Sequence, residues 1–375
     1  MIPFSRPAVA RNQLSYLEEA GNKGRPWGGG YFHEAASEKL REVVGAANLL
    51  LTQSCTAALE LAALALELGE GDEVIVPAYT FVSSANAFAL RGAKIVFVDV
   101  AKDTLNVRVE DVAAAITPKT KAIVVVHYGG VAAPIQAIVD LANPRGISVV
   151  EDAAQAIDSR EGMTHLGTIG DIGCISFHGT KNISSGEGGA AIFRSDRTDL
   201  FHRAEMIHEK GTDRKAFFAG KVDKYTWRSL GSSFIPSEFT SAILLSQLEE
   251  VSEITSMRIA TWLEYRDAFR RALGDELRIV SETESGGNGH MFAFFAQDSS
   301  QRGNILSRLN AREIGATSHY TPLHSSPFGK RFQSEDFPNF PNTEMAAEQL
   351  IRLPIWSAPG LPVKAVMFDL EASWR

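Results

Sequence analysis

Cysteine is nearly absent from this 375-residue chain: only Cys55 and Cys174 occur. Two thiols cannot build a disulfide framework, and such sparing use suits a reducing compartment, so a cytoplasmic location is expected. A basic excess is also missing. Asp and Glu outnumber Lys and Arg by 45 to 37, leaving a formal net charge of −8. No overall positive field is available to hold nucleic acid or an anionic membrane surface. A phosphorylated ligand therefore has to be gripped by a local arrangement. Apolar runs fall short of the roughly 18 residues that a membrane span needs. The stretch Met1 to Gln13 has neither a long apolar segment nor a small-residue cleavage site, so no signal peptide is expected. The nine histidines show no ligand spacing, and no metal site is expected.

What is present is the material of a large core: 45% of residues are hydrophobic and 22% charged. The length allows two domains, or one large α/β domain with an appendage. Residues 1–30 read as irregular, with Pro3, Pro7 and Pro26, and end in Trp27-Gly28-Gly29-Gly30. Three glycines serve either a tight turn or a close backbone approach to a ligand. A short helix is expected over 35–44. Strands then follow over 48–51, 73–77, 94–98, 121–126 and 147–150. They alternate with helices over 57–68, 83–90, 110–116 and 135–142. Continuous β-branched runs between helices indicate strands buried on both faces of a mainly parallel sheet. Two further apolar runs, 172–177 and 190–193, flank a glycine-rich turn. Residues 237–273 read as one long helix, a natural bridge to a second unit. Beyond it a strand over 291–295, a helix over 302–313 and connections at Pro322, Pro327, Pro338 and Pro341 suggest a smaller α+β domain. The expected division is 1–250 and 251–375.

In an open parallel sheet, ligands bind outside the carboxyl ends of the strands. Ser54-Cys55-Thr56 falls there, at the start of a helix whose free N–H groups and dipole favour a phosphate. Capping a helix without any ligand is the commoner use of such a triplet. Asp152 ends a strand, where a carboxylate can bind metal, act as a base, pair with a cationic heterocycle or start a turn. Phe81 stands at another strand end, either as a plate for a planar ligand or as core. Lys181 lies in Phe177-His178-Gly179-Thr180-Lys181-Asn182, ahead of Ser184-Ser185-Gly186-Glu187-Gly188-Gly189. It is either a solvated loop lysine or an amine held at a fixed point, able to form a Schiff base with a carbonyl. Phosphate cradle, aromatic plate, strand-end aspartate and isolated lysine together meet the needs of pyridoxal phosphate.

These residues sit in longer stretches that resemble the nucleotide-sugar aminotransferases of the fold-type I pyridoxal phosphate enzymes. Among them are Ser54-Cys55-Thr56-Ala57-Ala58-Leu59-Glu60, Tyr79-Thr80-Phe81-Val82-Ser83, Glu151-Asp152-Ala153-Ala154-Gln155, Glu209-Lys210-Gly211-Thr212 and His319-Tyr320-Thr321-Pro322-Leu323-His324. Within that family the chain is most similar to the dTDP-4-amino-4,6-dideoxygalactose transaminase branch. The resemblance implies a seven-stranded, mainly parallel sheet between helices and a smaller C-terminal α+β domain. It implies a homodimer with shared sites, L-glutamate as amino donor and a nucleotide-linked 4-keto-6-deoxy sugar as acceptor.

The same resemblance assigns roles to residues. Lys181 is the Schiff-base lysine and proton carrier; Asp152 pairs with the pyridine nitrogen; Gln155 lies by the ring's 3-oxygen; Phe81 stacks on the ring. Cys55 and Thr56 backbone, with Ser54 and Ser176, hold the phosphate. Ser233 stands where relatives place a partner-subunit asparagine on it. Lys210, Arg214 and Arg228 are candidates for the substrate pyrophosphate, and Tyr320 and His324 for the sugar. Relatives that carry histidine in place of the lysine dehydrate the sugar instead, and Lys181 speaks against that alternative. Amination at C3 and a non-catalytic regulator on the same fold are the other readings.

Overall fold

The computed structural model describes residues 1–274, 278–280, 286–333, 339–357 and 360–374. Pro338, one of the four prolines expected in connections, lies outside the described residues. Seven strands form one sheet in the order Asn48–Thr52, Gly189–Phe193, Ile172–Ser176, Ser148–Asp152, Thr120–Val126, Glu73–Pro77 and Lys94–Val98. Gly189–Phe193 is antiparallel to both its neighbours, and the remaining pairs are parallel. Glu73–Pro77 and Ile172–Ser176 are buried at every position, as strands covered on both faces must be. The small-residue helix Cys55–Ala65 lets the chain lie close on one face, with Ala58, Ala62 and Ala65 fully buried.

A second core gathers on a three-stranded antiparallel sheet of Ile279–Val280, Phe292–Phe295 and Leu350–Leu353. Trp262, Tyr265 and Phe269 come onto it from the helix Val251–Leu273, Tyr265 stacking on Phe292 at 5.0 Å. Ile2 packs against this core and bonds across to residues 313 and 315, so the first residues run with the C-terminal part.

Two expectations need correction. The stretch 237–273 is two helices, Glu238–Glu249 and Val251–Leu273, and Glu250 between them leaves the helical region at φ −111° and ψ 9°. No glycine or proline marks the break, so local pattern does not reveal it. Residues 1–30 also contain a helix, Gln13–Asn22, whose N-terminus carries no side-chain cap. It is held by tertiary contact instead: Tyr16 donates to Glu249 at 2.8 Å, and Ala20 is buried.

The triple glycine has a plain structural use. Glu238 accepts from the N–H groups of Gly30, Phe32 and His33 at 2.8–3.1 Å, closing the start of the helix Tyr31–Val44. A Cβ on Gly28 would lie 2.1 Å from the Pro236 carbonyl oxygen. These glycines let two segments of chain meet and do not border the cavity described next.

Candidate active site

A cavity of about 430 Å³ opens beyond the carboxyl ends of the parallel strands, in the size range of cofactor sites. On the sheet side it is bordered by Ser54, Cys55, Thr56, Phe81, Asp152, Gln155, Ser176 and Lys181. Eight residues spread over 128 positions are thus brought to one place by strand ends.

Ser54 is the N-cap of Cys55–Ala65, its hydroxyl accepting from the Ala57 N–H at 3.1 Å. Helix geometry gives the Cys55 and Thr56 N–H groups no intrahelical partner, and both residues border the cavity. Cap and anion cradle are therefore compatible: the side chain does one job and the backbone is free for the other. Gly189 sits directly behind this turn. A Cβ there would lie 2.4 Å from the Ser54 carbonyl carbon and 2.5 Å from the Cys55 nitrogen. Burial pushes the Cys55 thiol well above its ordinary pKa, and the charge of Asp152 adds to the effect, so the side chain is a neutral packing group.

Asp152 is the last residue of its strand and is buried. It accepts from the Ser84 hydroxyl at 2.6 Å and from the Ala154 N–H at 3.1 Å. Thr80 in turn shares a hydrogen bond with Ser84 at 2.8 Å. The neighbouring Glu151 points to the other face. It accepts from His127 Nε2 at 2.8 Å and from the Gly167, Ile169 and Gly170 N–H groups at 2.5–2.7 Å.

Lys181 is held by its loop. Its N–H donates to the His178 carbonyl at 2.9 Å, and Gly179 and Gly186 close the turn across a second 2.9 Å bond. Asn182 is pinned twice, donating to the Asn288 carbonyl and sharing a hydrogen bond with His290 Nδ1, both at 2.9 Å. Burial lowers the pKa of the Lys181 amine, the charge of Asp152 opposes that shift, and the charge of Arg352 reinforces it. No side-chain acceptor bonds the amine among the described residues. An amine with a lowered pKa, beside a strand-end carboxylate and a helix N-terminus, suits a carbonyl-bearing, phosphorylated, nitrogen-heterocyclic group.

Gln155 is occupied at both ends, accepting from the Gly129 N–H at 2.7 Å and donating to the Tyr320 hydroxyl at 2.8 Å. Phe81 is 55% exposed, with its ring 6.2 Å from that of Tyr320, so it is a plate at the cavity rim and not core.

The other side of the cavity comes from distant residues. Phe4, His290, His319, Tyr320 and Arg352 border it. His319 stacks on Tyr320 at 3.5 Å and shares a 2.6 Å hydrogen bond with Tyr128; burial pushes its pKa well down, so the imidazole is neutral at neutral pH. Arg352 lies on the strand Leu350–Leu353, its guanidinium 4.7 Å over the Phe4 ring. Sequence reasoning missed Arg352, Ser84 and His290. The available signal for Arg352 was a charge inside the apolar run Leu350-Ile351-Arg352-Leu353-Pro354-Ile355.

Five expected residues do not border this cavity within one chain. His324 turns to Glu344, at 2.8 Å, and packs against the Phe340 ring. Lys210, Arg214, Arg228 and Ser233 lie on the segment 209–233. There Arg228 donates to Asp213 at 2.7 Å, Arg214 is 3.5 Å from Glu209, and Glu209 bridges to Ser233. Among the described residues no group of three His, Cys, Asp or Glu side chains could hold a metal ion, and no helix is long and apolar enough to cross a membrane.

Comparison with known proteins agrees with this geometry. The family model for the DegT/DnrJ/EryC1/StrS aminotransferases matches residues 7–362. Among solved structures, the aminotransferase TlmJ from Streptoalloteichus hindustanus is 30% identical, with TM-score 0.89 over 100% of this chain and 98% of that one. A 3-amino-5-hydroxybenzoic acid synthase is 28% identical, with TM-score 0.86 over 100% and 98%. Spr1654 from Streptococcus pneumoniae, solved in a PLP form, shares the fold at 23% identity and TM-score 0.90 over 100% and 98%. This chain belongs to the DegT/DnrJ/EryC1/StrS aminotransferase family.

Proposed function

We propose that this chain is a pyridoxal-phosphate-dependent aminotransferase that moves the amino group of L-glutamate onto a nucleotide-linked 4-keto-6-deoxy sugar, with dTDP-4-keto-6-deoxy-D-glucose the first acceptor to try. The observation that carries the reading is the meeting of Lys181, Asp152 and the Ser54–Thr56 helix start in one cavity. When bound, pyridoxal phosphate supplies an electron sink for the carbon that gains or loses the amino group.

The chain's own residues do the rest. Lys181 would hold the cofactor and carry a proton at its Nζ, and burial, which lowers the pKa of the amine, favours the free base that this role needs. Asp152, oriented by Ser84, keeps a proton on the ring nitrogen. Gln155 would lie by the ring's oxygen, and Phe81 would cover one face of the ring. The Cys55 and Thr56 amides, with Ser54 and Ser176, take the phosphate. Residues 1–250 form the cofactor-holding domain in this reading, and 251–375, joined by Phe4 from the N-terminus, supply the opposite wall.

A homodimer completes the site. The segment 209–233 leaves Trp227 78% and Phe218 71% exposed, next to Lys210, Arg214, Arg228 and Ser233. A second copy seated on these rings would bring Ser233 to the phosphate and the three cations to the substrate pyrophosphate. Tyr320, which borders the cavity, would meet the sugar, and His324 would have to leave Glu344 to join it.

The test is a panel of 3-keto and 4-keto nucleotide sugars with L-glutamate, the amino product read by mass and NMR. Conversion of the 4-keto-6-deoxy substrates is expected. Inactivity with all of them, in enzyme that still reacts with glutamate, would overturn the acceptor assignment.

A further inference from the structure

His290 borders the cavity, and its tautomer is fixed by the chain around it. The Asn182 amide nitrogen donates to the Asn288 carbonyl at 2.9 Å, which leaves the amide oxygen facing His290 Nδ1, also at 2.9 Å. Nδ1 must therefore carry a proton. Burial pushes the pKa of this imidazole well down, and the charges of Lys181, Arg258 and Arg352 push the same way, so the ring is neutral. A neutral imidazole protonated at Nδ1 has a bare lone pair on Nε2. That nitrogen makes no hydrogen bond among the described residues.

The segment carrying the ring is held in one position before any ligand enters. Arg258 donates to the Gly289 carbonyl at 3.2 Å and to the His290 carbonyl at 2.7 Å. Asn288 donates to the Gln155 and Ile157 carbonyls at 2.9 and 2.8 Å. Gly289 has φ 62°, and a Cβ there would lie 2.9 Å from the Arg258 carbonyl. A pre-set acceptor of this kind is suited to reading a ligand's hydrogen-bond donor.

We infer that His290 Nε2 receives the hydroxyl on the ring carbon next to the keto carbon of the sugar, and so determines which sugars react. The inference rests on the sugar-aminotransferase reading above. Of the two substrates, only the sugar has a donor to spare. Apart from the amine that it gives up, glutamate offers two carboxylates, which only accept. Sugar hydroxyls donate. Position narrows the choice among them. Of the charges acting on His290 that of Lys181 is the largest, so the ring stands beside the amine that serves the reacting carbon. In a 4-keto-6-deoxy sugar the carbons flanking C4 are C3, which bears a hydroxyl, and C5, which bears the methyl group. The hydroxyl to be read is that of C3.

The experiment loads the enzyme with the amino group from glutamate, then compares dTDP-4-keto-6-deoxy-D-glucose with its analogue lacking the C3 hydroxyl. Wild type should prefer the hydroxyl by about 10-fold in kcat/KM, the cost of leaving one buried acceptor unmet. His290→Asn keeps an amide donor near Nδ1 for Asn182 and removes Nε2; the preference should fall to within about twofold. His290→Gln, whose amide oxygen can reach the place of Nε2, should retain most of the preference and covers failure of the asparagine variant to fold. A second readout needs neither cofactor nor turnover. In nitrogen NMR of protein with isotopically labelled histidine, the ring signals lost in His290→Asn should be those of an imidazole protonated at Nδ1.

A wild type indifferent to the hydroxyl, or a His290 ring protonated at Nε2, would overturn the inference. So would equal losses on both sugars in His290→Asn, which would mark His290 as a tie to the Lys181 loop alone. A loss greater with glutamate than with the sugar would place its action on Lys181 and do the same. If the enzyme takes a 3-keto sugar and refuses the 4-keto ones, the pair becomes that sugar with and without its C4 hydroxyl. A preference that collapses in His290→Asn would then support the subsite while the acceptor named above falls.

Discussion

The sheet side of the cavity and the C-terminal side are built on different terms. On the sheet side the carboxylates are already engaged by their own chain, the Ser84 hydroxyl and Ala154 N–H on Asp152 and four donors on Glu151, and Ser54 caps its helix; the Lys181 amine is the exception. On the C-terminal side Arg352 has an unpaired Nε, and the polar rings around it are neutral. A wall whose groups are pre-satisfied can hold a resident cofactor in one orientation through many turnovers. A wall with an unbalanced charge is suited to a ligand that arrives and leaves. The contrast between Glu151 and Asp152, adjacent and both buried, repeats this on a smaller scale. Glu151 is used up by protein donors, whereas Asp152 keeps accepting capacity at the cavity.

The largest effect should come from removing the one covalent anchor. Lys181→Ala should cut transamination by at least about 10⁴-fold, the upper range for loss of a positioned acid–base group, with an unchanged far-ultraviolet circular dichroism spectrum. Glu151→Gln attacks the sheet wall from behind. It strands His127 and puts an amide N–H against backbone donors, so urea unfolding should show a loss of about 3–5 kcal/mol. Unfolded variant apart, cofactor bound per folded protein should be unaltered.

Acid should weaken the same side. His208 is buried, donates from Nε2 to the Leu51 carbonyl at 2.7 Å, and is pushed down by desolvation from 6.5 to about 4. The unfolded imidazole takes its proton first as pH falls, so stability is full above pH 6.5 and drains between 6.5 and about 4. The contribution is about 3 kcal/mol. His208→Gln keeps a donor without the titration, and the difference between its stability and the wild type's should shift by that amount across this window. The smallest effect belongs to the group that only orients Asp152. Ser84→Ala should lower the rate about tenfold, the value of one hydrogen bond to a charged acceptor, with no change in preference among donors.

How much of this could be read in the sequence follows the same division. Asp152, Phe81 and the Ser54–Thr56 turn each lie within a few residues of a strand end, so a local pattern places them, and the alternation of strands and helices gave the sheet. Lys181 was legible through the two apolar runs that flank its loop. The opposite wall combines residues near positions 4, 290, 320 and 352, which meet only after the second core has formed. Nothing local tells an arginine in an apolar run that it will face a cavity. The break at Glu250 and the helix Gln13–Asn22 were illegible for a related reason: both are set by packing, with no proline, glycine or cap to announce them. The triple glycine shows the reverse error, a motif that looks ligand-facing and serves Glu238.

The most direct test is reductive trapping. Holoenzyme treated with borohydride, digested and mapped by mass spectrometry should carry the reduced pyridoxyl group on the peptide containing Lys181 and on no other. Trapping on a different lysine, or a holoenzyme whose cofactor washes out unreduced, would contradict the assignment on which the rest of the site is built.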